Sequence, residues 1–521
     1  MQTPNDKNQS LLTEGLYFIN EIMILSDKWT KNSLPESPAS VLSQKIPSPN
    51  VAQPGYGKER IKLYREAQYL MVAFVDEFFL HLLGNEKVKT VWLSHLLEYQ
   101  QFYSRFAGQR VFENLDALLK KADPRTRGLA QLYLIVLTLG FKGKYRNQDD
   151  GGQLDHYRQA LSDFIGDEYA YQPPERLFPA AYPQPATKPS SKNDQESWVL
   201  LLGETGAGKS TLLTNTQLDK KPWQRDAQKL LKKCEAWFFE PEKRIVLDIS
   251  GECVLQPDEP PSSDEEGWHK ILGSLRKHSK QIGGVVLTIP CSDLLSPQQN
   301  VDPLLTKKAE YLFNKLRQTQ HKLCRRFPVY ILVTQSEQLT GFTSFCTVFE
   351  NHLQEIFGWS NSEPPDTLYK TTWPDIAFQE IYQRINELEK KVVLSGQYSI
   401  PVGFLLFPHQ FRPVFNKLQI YLDCLFNKPY NKSFFLRGIY FCGDVVTHTI
   451  TNPRETDDET GIKGVRQTHR KIVFLNHLFK SKIFPETDLA RSFSRALCKP
   501  ARIWWIIGFL LVLAIIVAML Y

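Results

Sequence analysis

Apolar residues in the first third of the chain recur at the intervals of α-helices. The segments 64–83 and 129–141 place them three and four positions apart, so that each segment would present an apolar face. Shorter helices are predicted over 91–106 and 111–119. We therefore expect residues 1–171 to form an all-α helical bundle.

The composition of the chain changes after this region. Residues 172–195 contain six prolines together with Ser and Lys, a mixture that disfavours both helices and strands. Such a segment is typical of a semi-extended linker between domains. We therefore place the main domain boundary of the chain in residues 172–195.

Beyond the linker, short apolar runs alternate with helical patterns. Strands are predicted at 198–202, 244–248, 284–289 and 328–334, and a helix is predicted over 309–326. Apolar strands that alternate with helices indicate a parallel sheet covered on both faces. These residues define an α/β domain, to which we assign 196–400.

The next hundred residues predict a smaller α/β extension of that domain, with helical parts, over 401–502. An apolar run at 402–407 has the pattern of a strand, and helical patterns follow around 414–426 and 470–479. The fold class expected for the whole chain is multidomain, with the helical bundle first and the α/β region second.

The last segment of the chain predicts a membrane span. Residues 503–521 are 19 uncharged and mostly apolar residues, which as a helix would extend for about 28 Å, close to the thickness of a bilayer core. Arg495, Lys499 and Arg502 precede it, and such a basic flank normally stays in the cytoplasm. We expect one C-terminal transmembrane helix, with the bulk of the chain cytoplasmic and no domain on the far side.

Composition narrows the class of protein further. The 521 residues include 42% apolar side chains, enough for packed cores, which excludes disorder along the whole chain. The chain has 63 Lys and Arg against 56 Asp and Glu. This mild positive excess is spread over a long chain and does not by itself indicate a nucleic-acid-binding protein. Eight cysteines without a Cys-x-x-Cys pair do not suggest a disulfide scaffold or a zinc ribbon.

A phosphate-binding motif follows the first predicted strand. Residues 203–210 read Gly-Glu-Thr-Gly-Ala-Gly-Lys-Ser, the Walker A pattern, and a helix start comes directly after them. Lys209 would reach the β- and γ-phosphates, and Ser210 would bind Mg²⁺. The sequence therefore predicts a P-loop NTPase-like domain that binds Mg²⁺ with ATP or GTP. The predicted nucleotide-binding residues are Gly203, Glu204, Thr205, Gly206, Ala207, Gly208, Lys209, Ser210, Thr211 and Gly251.

Two further features support the phosphate site. Asp248 ends the second predicted strand, where a P-loop fold needs its other Mg²⁺ contact, so Ser210 and Asp248 are the predicted metal residues. Gly251 completes the Asp-x-x-Gly pattern of GTPase-like switch elements. Glu252 follows, at the place where Ras-like proteins keep a water-orienting Gln. Glu252 is the candidate catalytic residue, and a solvated loop acid is the alternative interpretation.

The segment that would read the nucleotide base departs from the GTPase pattern. Residues 334–337 read Thr-Gln-Ser-Glu after the fourth strand, where Asn/Thr-Lys-x-Asp is expected. Gln335 replaces the Lys, and Glu337 replaces the Asp that would bind the guanine edge. Base identity therefore stays open between ATP and GTP, and nucleotide binding is expected in preference to efficient turnover.

One pair of acids stands within an apolar helix. Asp76 and Glu77 are adjacent, so they cannot share one face of a helix at catalytic spacing. We expect one of them on the helix surface. The other is expected to make a satisfied polar contact or to bind a partner.

In an ordered series of short segments, the second half of the chain resembles the cytoplasmic NTPase region of the IcmF family. IcmF proteins are the large inner-membrane subunits of type VI and type IVB secretion systems. The final segment of the series leads into a membrane helix, as it does in that family. The resembling segments are 203–211, 245–251, 284–295, 328–342, 406–411, 435–441 and 483–486.

The first half resembles the cytoplasmic domain of the DotU family, the small inner-membrane partner of IcmF proteins. DotU proteins carry a membrane helix of their own, and IcmF proteins usually have a membrane hairpin and a long periplasmic region. We expect all three to be missing here, so that the two cytoplasmic parts share one anchor. The resembling segments are 73–77, Trp92, Phe112, 139–146 and 173–176.

The two resemblances imply a scaffold of a bacterial type VI, or type IVB-like, secretion system, anchored in the inner membrane by a single span. The implied partners are baseplate or tail components and other envelope subunits, and a separate periplasmic companion is open, as is a homo-oligomer. Nucleic acid is not an expected partner. The alternative is a stand-alone, tail-anchored P-loop NTPase with a signalling or membrane-remodelling role. A third interpretation is a degenerate NTPase retained for its shape.

Overall fold

The computed structural model describes most of the chain between residues 58 and 492. No described helix is both long enough and apolar enough to cross a bilayer. The predicted span at 503–521 lies outside the described residues. The described residues are 58–166, 174–182, 197–223, 233–240, 242–257, 261–278, 281–295, 303–365, 367–395, 402–427, 434–450 and 466–492, with residue 46 and parts of 11–29 and 38–43.

Contacts between Cα atoms divide the chain into two compact units. The helical unit comprises residues 1–175, 340–348 and 385–410, and the α/β unit comprises 176–339, 349–384 and 411–521. The chain therefore passes between the units more than once. Neither unit is one continuous stretch of sequence.

The helical unit is built around one fully buried helix. Helix α6 (Arg127–Thr138) buries every residue after the first, which explains its apolar composition on all sides. A π-helical segment, Phe78–Leu82, continues α2 directly. The helices of this region are α1 (Pro38–Ser43), α2 (Lys58–Glu77), α3 (Glu86–Leu93), α4 (Leu97–Phe102), α5 (Ala107–Lys121), α6 and α7 (Gln153–Ile165).

Asp76 and Glu77, at the end of α2, are both buried, so the expectation that one lies on the surface is wrong. Asp76 Oδ1 accepts hydrogen bonds from Trp92 Nε1 at 2.8 Å and Leu97 N at 2.9 Å, and its Oδ2 accepts one from Glu98 N at 2.8 Å. The carboxylate thus caps helix α4, whose first N–H groups have no partner inside the helix.

Glu77 fixes a different segment. Its carboxylate accepts hydrogen bonds from Lys142 N at 2.7 Å and Gly143 N at 2.9 Å, and it forms an ion pair with Arg146. Adjacent residues on a helix point in different directions, which is why the two acids anchor two separate segments. Both are structural groups of the helical unit.

The α/β unit is organised around an eight-stranded sheet of order β2-β3-β4-β1-β5-β7-β9-β8. The strands of the unit are β1 (Ser197–Gly203), β2 (Lys220–Pro222), β3 (Cys234–Phe239), β4 (Arg244–Ile249), β5 (Ile282–Pro290), β6 (Arg325–Arg326), β7 (Pro328–Thr334), β8 (Gly358–Ser360), β9 (Phe435–Phe441), β10 (Gly443–Ile450), β11 (Arg466–Val473) and β12 (Arg491–Ser492).

The predicted parallel sheet is in fact a mixed sheet. Strands β4, β1, β5, β7 and β9 run parallel. Strands β2 and β3 add antiparallel to one edge, and β8 adds antiparallel to the other. The four predicted strands all lie in the parallel centre, where both faces are covered and apolar runs are longest. The edge strands are short or partly exposed, so they gave no such signal.

The helices that follow β1 in the chain lie between these strands, and those of residues 340–348 and 385–410 belong to the helical unit. Two short helices, α8 and α9, follow β1 and β4, and the long helix α12 precedes β7. The helices are α8 (Lys209–Asn215), α9 (Gly251–Val254), α10 (Glu265–Leu275), α11 (Cys291–Leu295), α12 (Pro303–Leu323), α13 (Phe342–Val348), α14 (Trp373–Ser395) and α15 (Val402–Phe426).

Two secondary-structure predictions in the extension are wrong. The apolar run 402–407 begins helix α15 instead of forming a strand, because a short apolar run has no period that separates the two structures. Residues 470–473 belong to strand β11, which pairs antiparallel with β10, instead of a helix. The local pattern of residues 470–479 does not show this pairing, because strand formation depends on the neighbouring strand.

The sheet continues across the predicted domain boundary at residues 400 and 401. Strand β9 lies beyond that boundary and pairs with β7, which lies before it. Part of the predicted linker also belongs to the α/β unit. Phe178 stacks on Phe357 with ring centroids 4.2 Å apart, and Leu177 N donates to Glu355 at 2.8 Å.

A buried ionic cluster holds β9 in the sheet. Arg437 is fully buried and donates from Nε and Nη2 to the two carboxylate oxygens of Glu486, each at 2.8 Å. Lys482 lies 3.0 Å from the same carboxylate, and Tyr330 on β7 donates to it at 3.0 Å. Since one carboxylate serves three donors, the cluster depends on Glu486.

Candidate functional site

The residues of the Walker A motif lie at the carboxyl end of β1. The central strands run parallel, so β4 and β7 end at the same edge of the sheet, and their following loops meet the loop after β1. This edge is where open α/β sheets bind ligands. The fold thus brings Asp248, Gly251 and Thr334 to the P-loop, although they are distant in sequence.

The loop from Glu204 to Gly208 needs its glycines. Gly206 has φ +84° and Gly208 has φ +76°, which is the left-handed region that residues with a Cβ atom rarely adopt. Helix α8 begins immediately afterwards, at Lys209. This is the strand, turn and helix arrangement that a phosphate-binding P-loop requires.

Lys209 is buried within its own loop. Its Nζ donates to the carbonyl oxygens of Gly203 at 3.0 Å and Glu204 at 2.9 Å. Burial lowers the pKa of Lys209, while the nearby carboxylates of Asp248 and Glu204 oppose that shift. The ammonium group is thus placed beneath the loop, where the Walker lysine of a nucleotide site is expected.

Ser210 and Asp248 form the predicted metal pair. Ser210 Oγ donates to Asp248 Oδ2 at 2.7 Å, while the other oxygen of Asp248, Oδ1, is buried and has no hydrogen-bond partner. Burial raises the pKa of Asp248, and the Ser210 hydroxyl and Lys209 oppose that shift. A hydroxyl beside a carboxylate with an unsatisfied oxygen fits the oxygen ligands that Mg²⁺ prefers.

The segment after β4 packs directly against the P-loop. A Cβ atom on Gly251 would lie 2.3 Å from Thr205 N, so only glycine fits there. Thr205 N donates to the carbonyl oxygen of Leu255 at 2.9 Å. One amide of the P-loop is therefore already engaged by the residues 250–255, which we name the switch segment.

Glu252, the candidate catalytic residue, takes part in a surface ion pair. Its carboxylate lies 3.2 Å from Lys233 Nζ, which also lies 2.7 Å from Asp264. The Glu252 side chain is more than half exposed. In this arrangement Lys233 engages Glu252, and among the described residues no hydrogen bond or ion pair joins its carboxylate to the P-loop.

The segment that replaces the base-reading motif contacts the P-loop as well. Thr334 Oγ1 donates to Ala207 O at 2.9 Å, and Gln335 Nε2 donates to Gly206 O at 2.9 Å. Glu337 accepts a hydrogen bond from Asp444 N at 2.9 Å. All three side chains thus have partners within the protein, and two of them support the loop.

A second ionic group beneath the P-loop was not predicted. Lys308 on α12 lies 2.8 Å from Glu204 and 2.8 Å from Asp293, and all three residues lie in the interior of the unit. Burial raises the pKa of Glu204, and the neighbouring Asp293 adds to that shift. Glu204, the acid within the Walker A motif, was the sequence signal for such an ionic group, because a buried acid requires a cation. Nothing in the sequence identified Lys308 as that cation.

The fold and the site together define an α/β protein with a Walker-type P-loop at the carboxyl edge of its sheet. Two family models match the chain. The model described as type VI secretion system protein DotU matches residues 50–207, and the IcmF-related N-terminal domain matches residues 261–512. The two matches show a DotU region and an IcmF-related region fused in one polypeptide, as expected of a type VI secretion component.

The similarities to individual proteins are more limited. The type VI secretion system component TssM1 of Pseudomonas aeruginosa is 24% identical over 343 residues, which are 61% of this chain and 30% of that protein. The chain thus spans under a third of that relative. A GDP-bound ADP-ribosylation factor-like GTP-binding protein, the small COPII coat GTPase SAR1 of Encephalitozoon cuniculi, matches with 11% identity and a TM-score of 0.18. That match covers 47% of this chain and 71% of the GTPase.

Proposed function

We propose that the protein is a nucleotide-binding scaffold of the type VI secretion apparatus, anchored in the bacterial inner membrane by residues 503–521. The helical unit docks tail or baseplate components, and the α/β unit binds Mg²⁺ with ATP or GTP. Nucleotide sets the assembly state through different contacts in its bound and free forms. Hydrolysis is slow or absent in this proposal.

The pair formed by Ser210 and Asp248 is the observation that carries the nucleotide proposal. A buried carboxylate oxygen without a partner is costly, and a divalent cation held there with a phosphate would satisfy it. Lys209 lies beneath the same loop and provides the positive charge for the β- and γ-phosphates. The bound Mg²⁺ and nucleotide would supply the charge to which the switch segment responds. The protein supplies binding and position.

Isothermal titration of the full-length chain in mild detergent with Mg-ATP and Mg-GTP tests this proposal. Lys209→Ala should abolish binding, whereas Lys270→Ala, which removes a fully exposed lysine on α10, should leave it unchanged. Secretion should be impaired by the first variant alone. Normal secretion by a Lys209→Ala protein that no longer binds nucleotide would show that the scaffold works without it.

The contact between Leu255 and Thr205 favours one competing function. A P-loop amide that is already bonded within the protein is consistent with a degenerate NTPase retained for its shape. In that case neither nucleotide would bind at millimolar concentration, and Lys209→Ala would affect only stability. Clear heat of binding from either nucleotide would exclude this function.

The scaffold proposal has its own test. Mild-detergent purification of the tagged full-length chain from its native membrane, followed by mass spectrometry, should recover baseplate and envelope proteins of the secretion system. Sedimentation with the membrane fraction, lost when residues 503–521 are deleted, would support the anchor. Recovery of no secretion protein, with the chain stable and abundant, would favour a stand-alone, tail-anchored NTPase.

A further inference from the structure

The helical unit exposes a group of large aromatic side chains on one short segment. Tyr99 is 50% exposed, Tyr103 is 85% exposed and Phe106 is 73% exposed, all within eight residues. Single exposed aromatic residues are common, but clustered ones indicate an interaction site. We name Tyr99, Tyr103, Arg105 and Phe106 the aromatic patch.

The segment that carries the patch is held rigidly from below. Glu98 is buried and its Oε1 accepts hydrogen bonds from Phe106 N at 3.0 Å and from Tyr69 Oη at 2.8 Å. Asp76 in turn binds the backbone N–H of Glu98. The protein therefore uses two buried acids to fix the loop that connects α4 to α5, and the patch loses little entropy when a partner binds.

Backbone strain points to the same site. Tyr103 ends helix α4 with φ +52°, in the left-handed region that is unfavourable for a residue with a Cβ atom. Glycine or asparagine would fit this position with less strain. A tyrosine that is strained and 85% exposed gains nothing from burial within the described part of the chain, so its ring serves something else.

The exposed charge of the segment that carries the patch is one-sided. Between residues 93 and 110 the charged side chains are Glu98, which is buried, and Arg105 and Arg110, which are exposed. Arg105 stacks on Tyr99 at 4.8 Å and Arg110 on Tyr69 at 4.9 Å, and no acid in the described structure pairs with either. A guanidinium that stacks on a ring by its planar face still presents its N–H edge, which can bind a carboxylate through two hydrogen bonds.

We infer that the aromatic patch is the docking surface for an acidic segment of a partner protein that also carries apolar side chains. The rings of Tyr103 and Phe106 would bury its apolar groups, and Arg105 would pair with its carboxylates. A second copy of this segment fits poorly, since its exposed charges are both arginines and it offers them no exposed carboxylate. This inference rests on the proposed scaffold function and names the surface and partner chemistry through which the helical unit docks.

Photo-crosslinking of the full-length chain in its native host tests the inference. A photoreactive phenylalanine in place of Tyr103 should cross-link to a secretion subunit, and sequencing of the linked peptide should show Asp or Glu beside apolar residues. The same group in place of Leu368, which is 54% exposed in the α/β unit, is the matched control. Cross-links confined to a second copy of the chain, or no more than at position 368, would overturn the inference.

Two substitutions separate binding from folding. Tyr103→Asn removes the ring but suits the left-handed backbone, so the melting temperature should not fall while the cross-link from position 106 and secretion decrease at least tenfold. Arg105→Glu should also decrease the cross-link from position 106 and secretion. Arg105→Lys should retain part of the cross-link and part of secretion. Normal secretion by these variants, in a host where deletion of the whole chain blocks it, would refute the docking surface and leave the scaffold function intact.

A lipid membrane is the other binding partner of the aromatic patch that an experiment must distinguish from a protein. Flotation with vesicles of phosphatidylethanolamine and phosphatidylglycerol should be identical for the parent protein and Tyr103→Asn. Binding to these vesicles that the substitution abolishes would show that the patch inserts into membranes, and the inference would then be wrong.

Discussion

The backbone N–H of Thr205 in the P-loop donates a hydrogen bond of 2.9 Å to the carbonyl oxygen of Leu255. This bond joins the phosphate-binding loop to the switch segment. P-loop amides normally point toward phosphate oxygens, so a bound nucleotide and the Leu255 carbonyl compete for Thr205. In the proposed nucleotide-bound state, this one amide would link the phosphate site to residues 250–255.

Gly251→Ala should open this contact. The added Cβ would lie 2.3 Å from Thr205 N, which forces the switch segment away from the P-loop. We expect a lower melting temperature and, if the bond to Leu255 restrains the site, tighter binding of Mg²⁺ and nucleotide by titration calorimetry. Gly273→Ala on α10 meets no atom within 4 Å and should be neutral or stabilising. Equal nucleotide affinity in the parent and the Gly251→Ala protein would contradict the competition.

Lys308→Met should be strongly destabilising. It leaves Glu204 and Asp293 in the interior without their shared cation, and removal of one partner from a buried ionic group costs about 3–5 kcal/mol. Chemical denaturation measures the loss. Lys307→Met, at the exposed neighbouring position on α12, is the control and should change stability by less than about 0.5 kcal/mol. A loss of similar size in both variants would show that Lys308 has no such role.

Glu486→Gln should destabilise the protein as much as Lys308→Met, but by removing the acid of a buried ionic group instead of its cation. Arg437 and Lys482 would stay buried without a carboxylate, so we again expect a cost of about 3–5 kcal/mol. Lys482→Met should be much milder, because Arg437 still satisfies Glu486. If the two variants unfold at the same denaturant concentration, the cluster does not depend on Glu486 as described.

The Lys482→Met variant also predicts a change in pH dependence. Burial lowers the pKa of Lys482 to about 8, while Glu486 opposes that shift. Between pH 8 and the ordinary lysine pKa near 10.4 the unfolded chain binds the extra proton, so stability should rise with pH. Denaturation at pH 7.5 and pH 10 should show a rise in the parent that is smaller in Lys482→Met. An equal rise in both proteins would mean that Lys482 titrates normally.

Asp76→Asn should destabilise the helical unit. Leu97 N and Glu98 N donate to different oxygens of Asp76, and asparagine replaces one of these oxygens by an NH2 group, so one buried donor loses its acceptor at about 1–3 kcal/mol. Gln131→Asn, another buried polar substitution in this unit but outside the cap, controls for burial alone. Thermal melting should show the larger loss for Asp76→Asn.

Asp76 also contributes a pH dependence in the acidic range. Burial raises the pKa of Asp76 to about 6, against the opposing hydrogen bonds from the Glu98 and Leu97 N–H groups. Between about pH 4 and pH 6 the folded chain binds the extra proton, so this residue makes stability fall as pH rises through that window. The contribution should be missing from Asp76→Asn. Parallel stability curves for the two proteins from pH 4 to pH 6 would contradict it.

The sequence predicted those parts of the fold that have a strong local signal. Four central strands and the helices over 64–83 and 129–141 could be located because their apolar residues are periodic or continuous. The antiparallel edge could not, since β2 has only three residues and β3 is mostly half-buried. The prediction for 402–407 failed because a run of five apolar residues and one glycine suits a helix and a strand equally.

The candidate site likewise has parts that the sequence predicts and parts that it does not. The motif at 203–210 and its placement after a strand could be read directly, since glycine spacing reflects backbone geometry. The contacts of Thr334, Gln335 and Leu255 with the loop depend on how distant segments meet. Gln335 replaces the Lys of the base-reading motif, and in the structure its side chain donates to Gly206 O. Only the three-dimensional arrangement distinguishes these interpretations.

The strand order has a consequence for how the protein is made. Among the described strands β8 pairs only with β9, and β9 lies between β7 and β8 although it is synthesised after both. During translation, the edge of β7 thus stays open until about residue 441 has left the ribosome. Long-range pairing of this kind is slow and exposes apolar edges. We therefore expect nascent chains that stop before β9 to need chaperones, and the late strand to act as the closing step of biosynthesis.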